Sequence, residues 1–327
     1  MENPGVVVIG PRKSKIIDTP MPKITGPNEA IVRIKFGGVC GSDVHFWADC
    51  AIDGNLVSEE KYLPLGHEAS GIDVFISSDV TSLKVGDNVA IEPANPCRSC
   101  IRCREGLYNL CPFMKNAASA TEYPGTLTKF FKLPADFCYE LPDYVSLEEG
   151  VLAEPLAVAA HSVRMIGIKP GQSLVIYGAG TIGLVCGAVA KVFGARKLVL
   201  VDILDSKLEF AKKFLNCETF KTSPGADPES AAGEIIETFN LGLDADAVIE
   251  ATGAASSTMG CVYVARKGAH FVHSKGDYRV AMDILENRLV PVKELITAMY
   301  NFEEIELAWQ ATLSGKEIKN MVQGVLD

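Results

Sequence analysis

Beyond Gly150 the apolar positions alternate between two periods. Short aliphatic or β-branched runs, Leu174–Tyr177, Lys197–Val201, Ala245–Glu250 and His270–His273, are separated by segments with helical spacing, Ile182–Phe193, Ser206–Phe214 and Ser257–Val264. Strand and helix alternating in this way predict a parallel, doubly wound sheet. Before Gly150 the pattern differs. Ala30–Phe36, Ile72–Ile76 and Asn88–Ile91 are extended runs cut by Gly, Pro, Asn or Asp, which predicts a mostly β domain of irregular barrel type. Leu152–Ile166 lacks turn signals apart from Pro155, and Pro170-Gly171 closes it. The tail holds two helical patterns, Val280–Asn287 and Ile305–Ser314, too short to stand alone and expected to pack back on the β domain. The chain is thus read as residues 1–150, 151–276 and 277–327. No repeat of solenoid length interrupts this organisation.

Composition narrows the class. A chain of 327 residues and 35.1 kDa suits two domains, and 48% hydrophobic against 22% charged residues is ordinary globular composition, which argues against disorder. With 31 basic and 41 acidic side chains the net charge is −10 and the pI about 5.1. That field opposes phosphate backbones and anionic lipid, so neither nucleic acid nor membrane is an expected partner. The uncharged stretch Ser173–Ala190 is broken by Gly178, Gly180, Gly183 and Gly187, which makes a poor membrane span. Met1–Gly5 has no basic region of the secretory kind. Four of ten cysteines crowd into Cys97–Cys111, a pattern that favours metal in a reducing compartment over a disulfide framework. A cytoplasmic protein is expected.

Three constellations carry chemistry. Gly178-Ala179-Gly180-Thr181-Ile182-Gly183 follows an apolar strand and opens a small-residue helix, and Asp202 ends the next strand. The first glycine permits a tight turn and the second lets backbone N–H groups approach a pyrophosphate. The third lets helix pack on strand. Asp202 can accept hydrogen bonds from both ribose hydroxyls of NAD and would repel the 2′-phosphate of NADP. No arginine follows in Ile203-Leu204-Asp205, so NAD is favoured. The second constellation is Cys97-x2-Cys100-x2-Cys103-x7-Cys111, four thiols that can close a tetrahedral shell around zinc with no open position. An iron–sulfur cluster is the rival, but the common run has x3 before its last cysteine. The third is dispersed: Cys40, His67, Glu68 and Glu154. Spacing alone leaves these undecided between metal ligands and, respectively, a buried thiol, a core histidine and ordinary carboxylates.

The segments Gly38-Val39-Cys40-Gly41-Ser42-Asp43-Val44-His45, Gly66-His67-Glu68-Ala69-Ser70-Gly71, Tyr108-Asn109-Leu110-Cys111-Pro112 and Glu154-Pro155-Leu156-Ala157-Val158-Ala159 occur in order before Gly178–Gly183. Together they resemble the zinc-dependent medium-chain dehydrogenases, in their polyol branch of sorbitol and xylitol dehydrogenases. Gly125-Thr126-Leu127 and Leu133–Cys138 are similar to the xylitol dehydrogenase (D-xylulose reductase) group. The resemblance implies a GroES-like, mostly β catalytic domain beside a Rossmann coenzyme domain. It implies Cys40, His67 and Glu68 as catalytic zinc ligands, and Glu154 as the acid beside the metal, bound directly or through water. A second, structural zinc falls to Cys97, Cys100, Cys103 and Cys111. Ser42 and His45 become candidates for relaying the released proton, against a local cap and a surface histidine as their bland alternatives. The implied reaction is NAD-dependent oxidation of a small polyol, xylitol to D-xylulose first, sorbitol or L-arabinitol next, by a homo-oligomer. His161, His270 and His273 match no catalytic role, Lys84–Asp87 reads as a turn, and Glu303–Glu306 as a solvated helix face.

One departure stands out. After His273, Ser274-Lys275-Gly276-Asp277-Tyr278 runs directly toward the tail helix, whereas a returning connection and last strand need on the order of 20–30 more residues. The last part of the second sheet is therefore missing near 273–276. The expectation is that the protein carries this stretch; a shortened, catalytically silent relative is the alternative. A third class, a zinc-loop nucleic-acid binder, would use Arg98, Arg102 and Arg104, but Glu105 follows them and the global charge is adverse.

Overall fold

A computed structural model of the chain describes residues 2–52, 55–56, 62–118, 123–267, 271–272 and 277–326. It divides into two compact units. The first comprises Met1–Glu154, Leu285–Asn287 and Leu295–Asp327; the second comprises Pro155–Ile284 and Arg288–Glu294.

The first unit is built on β1 (Glu29–Gly38), whose Ala, Val and Ile positions are buried and whose β-branched residues favour the extended state. Around it lie β2 (Glu68–Ile76), β3 (Asn88–Ile91), β4 (Phe130–Pro134), β5 (Cys138–Glu140), β6 (Ile296–Tyr300) and β7 (Lys319–Gln323). Their order is β5-β3-β2-β1-β7-β6, with β4 also pairing β1. Register decides where the chemistry falls. Gly38, at the end of β1, stands opposite Glu68 on antiparallel β2 and opposite Met321 on antiparallel β7. Cys40, two residues past Gly38, therefore emerges where β2 begins and where Lys319 precedes the β7 pairing. Helix α1 (Gly41–Asp49) starts at once and buries Phe46 and Trp47 against Ile305 and Trp309 of α2 (Ile305–Ser314). The two indoles lie 5.6 Å apart, centre to centre. Burying each such side chain is worth about 1.5–3 kcal/mol.

The second unit is a five-stranded parallel sheet in the order Glu218–Lys221, Lys197–Asp202, Ser173–Tyr177, Ala247–Glu250, Phe271–Val272. This is the doubly wound arrangement with the first strand in sequence at the centre. A sixth strand is not found among the described residues. His270, His273 and the short connection at 273–276 lie outside them. The uncharged stretch Ser173–Ala190 is a buried strand followed by the helix Thr181–Val192, whose Gly183–Ala190 face is buried on both sides. Among the described residues no helix is long and apolar enough to cross a membrane.

Two elements escape the periodicity reading. Glu218–Lys221 is a short edge strand with no fully buried position, so it lacks an apolar run. Pro228–Thr238 is a helix set by its cap: Asp227 accepts from Ser230 N at 2.9 Å and Pro228 occupies the first turn. Lys84–Asp87 is the expected turn, closed by Asp87 N donating to Lys84 O. The solvated face expected over Glu303–Glu306 needs correction. Phe302–Glu304 is a separate 3-10 turn, and Glu306 Oε1 accepts from Ser14 N at 2.8 Å and Ser14 Oγ at 2.6 Å. Its carboxylate fastens α2 to the hairpin formed by the antiparallel strands Pro4–Gly10 and Lys13–Asp18.

Candidate metal and cofactor sites

In the first unit the ends of β1 and β2 bring Cys40, His67 and Glu68 together, with one ligand atom of each within 4.8 Å of the others. Glu68 is buried, Cys40 and His67 half-buried, so the cluster keeps an open side. Gly38 makes room for it: a Cβ there would overlap Glu68 Oε2. Asp43, buried on α1, organises the rest. Its Oδ2 accepts from Cys40 N at 3.1 Å, and its Oδ1 accepts from Gly66 N at 3.3 Å and lies 3.4 Å from His67 Nδ1. A carboxylate behind an imidazole fixes its orientation and leaves the other ring nitrogen for a ligand. Burial disfavours the charged imidazole, yet Asp43 and Cys40 outweigh it and hold His67 well above its ordinary range. The same partnership keeps Asp43 below its own, against burial. A divalent cation fits this donor set of thiolate, imidazole and carboxylate.

Glu154 lies outside the 4.8 Å group. It is half-buried at the start of the helix Ala153–Ile166. Burial first, then the negative charges of Glu68 and Asp43, push its carboxyl up to about 7, opposed by His67 and Lys319. Ser42 and His45 are on exposed positions of α1, and His45 Nδ1 is 4.0 Å from Asp49. Lys319 was not singled out by any sequence motif. It is 2% exposed, with its ammonium against Glu68 Oε2. Nothing local marks it, since the tail reaches the cluster only through pairing of β7 with β1.

The four-cysteine loop is equally well assembled. Cys100 Sγ lies 3.5 Å from Cys103 Sγ and 3.8 Å from Cys111 Sγ, and Cys97 Sγ 4.0 Å from Cys103 Sγ. A tetrahedron with Zn–S bonds of 2.3 Å has edges of about 3.8 Å, so zinc fits without rearrangement. Cys100 N and Phe113 N donate to Cys97 Sγ and Cys111 Sγ at 3.3 and 3.4 Å. Hydrogen bonds from Ser99 and Cys100 bring the Cys97 thiol down to about 6, whereas burial among the other thiols raises Cys103 to about 12. Arg98 grips Asp136 through two 2.7 Å hydrogen bonds, and Arg102 pairs with Glu105. Two of the three arginines named in this loop, Arg98 and Arg102, are thus paired with carboxylates.

In the second unit, Gly178 adopts a φ of +103° and donates from its N to Val201 O at 2.7 Å. A Cβ on Gly183 would overlap Gly178 O, which ties the helix to the turn. Gly180 caps that helix, and a Cβ on it would meet only Lys207 Nζ, at 3.9 Å. The turn thus presents open space, a helix N-terminus and a nearby cation, as a pyrophosphate requires. Asp202 Oδ2 accepts from Ala179 N at 2.8 Å, and its Oδ1 accepts from Ile203 N and Leu204 N. This places the acid beside the turn, with Thr181 and Ile182 opening the helix. Lys207, one turn into the next helix, is a further residue that spacing did not flag.

Two family models match the chain, the alcohol dehydrogenase GroES-like domain over residues 26–143 and the zinc-binding dehydrogenase domain over 181–303. D-xylulose reductase A of Aspergillus niger is 41% identical over 352 positions, covering 99% of this chain and 97% of that one. The chain belongs to the zinc-binding dehydrogenases. This dehydrogenase is also 42% identical to a probable D-xylulose reductase A of Emericella nidulans, with 99% and 97% covered. That alignment runs over 351 positions against 327 residues, so the relative has residues at 24 or more positions where this chain has none. An oxidoreductase of unknown specificity from Escherichia coli superposes with a TM-score of 0.88 at 28% identity, covering both chains fully. L-idonate 5-dehydrogenase from Escherichia coli superposes at 0.84 and 23% identity, covering 98% of each chain, and shares the fold. The two-domain architecture, GroES-like plus Rossmann, is that of the family, and the two ligand clusters suit the zinc for which the family is named.

Proposed function

We propose that this dehydrogenase oxidises a polyol to a ketose with NAD, xylitol to D-xylulose being the leading pair and sorbitol or L-arabinitol the next. The observation that carries the reading is the cluster of Cys40, His67 and Glu68, with Glu154 beside it, in a chain 41% identical to D-xylulose reductase A. A carboxylate-rich site suits a hydroxylated substrate better than an apolar one. Zinc, when held there, supplies a Lewis acid that lowers the pKa of a substrate hydroxyl. The chain's own groups do the rest. Cys40, His67 and Glu68 hold the metal, and Asp43 orients His67. Glu154 is the acid beside the metal, acting directly or through a bound water, and Ser42 and His45 would relay the released proton toward solvent. Gly178–Gly183 seat the coenzyme pyrophosphate, and Asp202 accepts from its ribose hydroxyls. NAD, if held by this turn, would supply the acceptor for the hydride of the carbinol carbon, and Ser42 and His45 on α1 would take the hydroxyl proton toward solvent.

Cys97, Cys100, Cys103 and Cys111 hold the second zinc, with a purely structural role. The domain reading of a catalytic part over 1–150, a coenzyme part over 151–276 and a C-terminal segment over 277–327 belongs to this proposal. So does a cytoplasmic homo-oligomer, supported in its compartment by ten cysteines free of disulfides. The positions lacking relative to the fungal chains favour a second reading, a relative that binds without turnover.

An assay of NADH formation across xylitol, sorbitol, L-arabinitol, ethanol and threonine separates these readings. The expected result is turnover of polyols, xylitol first, with NAD preferred over NADP. Ethanol exceeding every polyol would overturn the substrate class, and absence of turnover with two zinc ions bound would support the silent relative.

A further inference from the structure

Lys319 is a lysine with 2% of its side chain exposed, on a strand 251 residues beyond the Glu68 it touches. Burying an ammonium costs several kcal/mol unless it is paired and hydrogen-bonded. Here its Nζ lies against Glu68 Oε2 and donates to Val39 O at 3.1 Å. Val39 N in turn donates to Asn320 O at 3.0 Å, so β7 holds the backbone immediately before Cys40 from two sides. Glu68 Oε2 receives no hydrogen bond of regular geometry, and the ammonium is the cation that faces it. Gly38 leaves this oxygen the space it occupies.

We propose that Lys319 is a positioning residue, which presents the Glu68 carboxylate and the Cys40 backbone to the metal. One carboxylate oxygen is engaged by the ammonium, so the rotamer is set before metal arrives and Oε1 is the oxygen left for it. The same ammonium fixes the Val39 carbonyl, and with it the direction in which Cys40 leaves β1. Lys319 thereby gives the C-terminal strand a part in the metal site that the tail's sequence does not advertise. The inference rests on the reading of Cys40, His67 and Glu68 as zinc ligands.

Zinc retention of the whole protein tests it, with the four-cysteine loop as internal reference. Wild type, Lys319→Met and Lys319→Arg are titrated with a chelator while zinc per chain is measured. In Lys319→Met one zinc is expected to leave at about 10–100-fold lower chelator strength while the other stays as in wild type; Lys319→Arg restores both. In a Glu68→Gln background Lys319→Met should weaken zinc retention less than it does in wild type, since only the hold on Val39 O is then lost. Should Lys319→Met fail to fold, Lys319→Gln, which keeps a donor for Val39 O, replaces it with the same expectation. Two zinc ions held as tightly as in wild type overturn the role of Lys319. A wild type that binds only the cysteine-loop zinc overturns the ligand reading beneath it, and the proposal with it.

Discussion

Gly38 shows how much one missing Cβ decides. Alanine there would displace the Glu68 carboxylate, because the new methyl group and Oε2 claim the same space. Gly38→Ala is expected to lower kcat/KM by at least tenfold and to lose one zinc per chain on dialysis, while the cysteine loop keeps its own. Metal analysis beside kinetics checks this; full zinc content with unchanged kcat/KM would contradict it. Asp73 is a second residue whose environment makes a measurable claim. Both of its carboxylate oxygens are buried without hydrogen bonds, and burial, then Asp87, raises its pKa to about 7. The unfolded chain releases this proton near the ordinary value of 3.8, so between about 4 and 7 the folded state binds more protons than the unfolded one. Stability contributed by this site therefore falls as pH rises through that window and levels off above it. Asp73→Asn removes the slope, and relative to wild type the variant should gain up to about 4 kcal/mol between pH 4 and pH 8. Denaturant melts at the two pH values test it, and parallel curves for both proteins would refute it.

At the scale of elements, the site is made by register. β1 delivers Cys40, β2 begins at Glu68 opposite Gly38, and β7 returns antiparallel with Lys319 beyond the last pair. The motifs around Cys40, His67, Glu68 and Glu154 were legible in the sequence because each is a local signature within a resembling family. The glycine turn and Asp202 were legible because strand, turn and helix surround them in a fixed order. Lys319 and Lys207 were not, since a lone lysine acquires meaning only from what a distant strand or helix sets beside it. The edge strand Glu218–Lys221 and the helix Pro228–Thr238 were missed for a related reason: an edge strand needs no apolar run, and that helix is specified by its cap. The cysteine loop is an element of its own, anchored by the Arg98–Asp136 pair and by Tyr108, which donates to Glu92 at 2.7 Å. Cys100→Ala is expected to release the structural zinc and to lower stability by several kcal/mol, seen as a drop in Tm together with loss of one zinc. An unchanged Tm would show that the loop stands without metal.

The whole molecule carries the proposed metal-ligand cluster in one unit and the proposed dinucleotide turn in the other, in a chain with no residue at 24 or more positions of its alignment with the Emericella nidulans relative. An intact mass of 35.1 kDa would establish the shorter form as the protein itself. The five strands described in the coenzyme unit include the turn and Asp202, so coenzyme binding is expected even there. Polyol oxidation by this dehydrogenase is expected to depend on a zinc held by Cys40, His67 and Glu68. Its most direct measurement is xylitol-dependent NADH formation before chelation, after verified removal of zinc from this cluster with the cysteine loop still loaded, and after zinc is restored. The expected results are, in that order, activity, a loss of at least a hundredfold, and recovery. Turnover undiminished in the zinc-stripped cluster would contradict it.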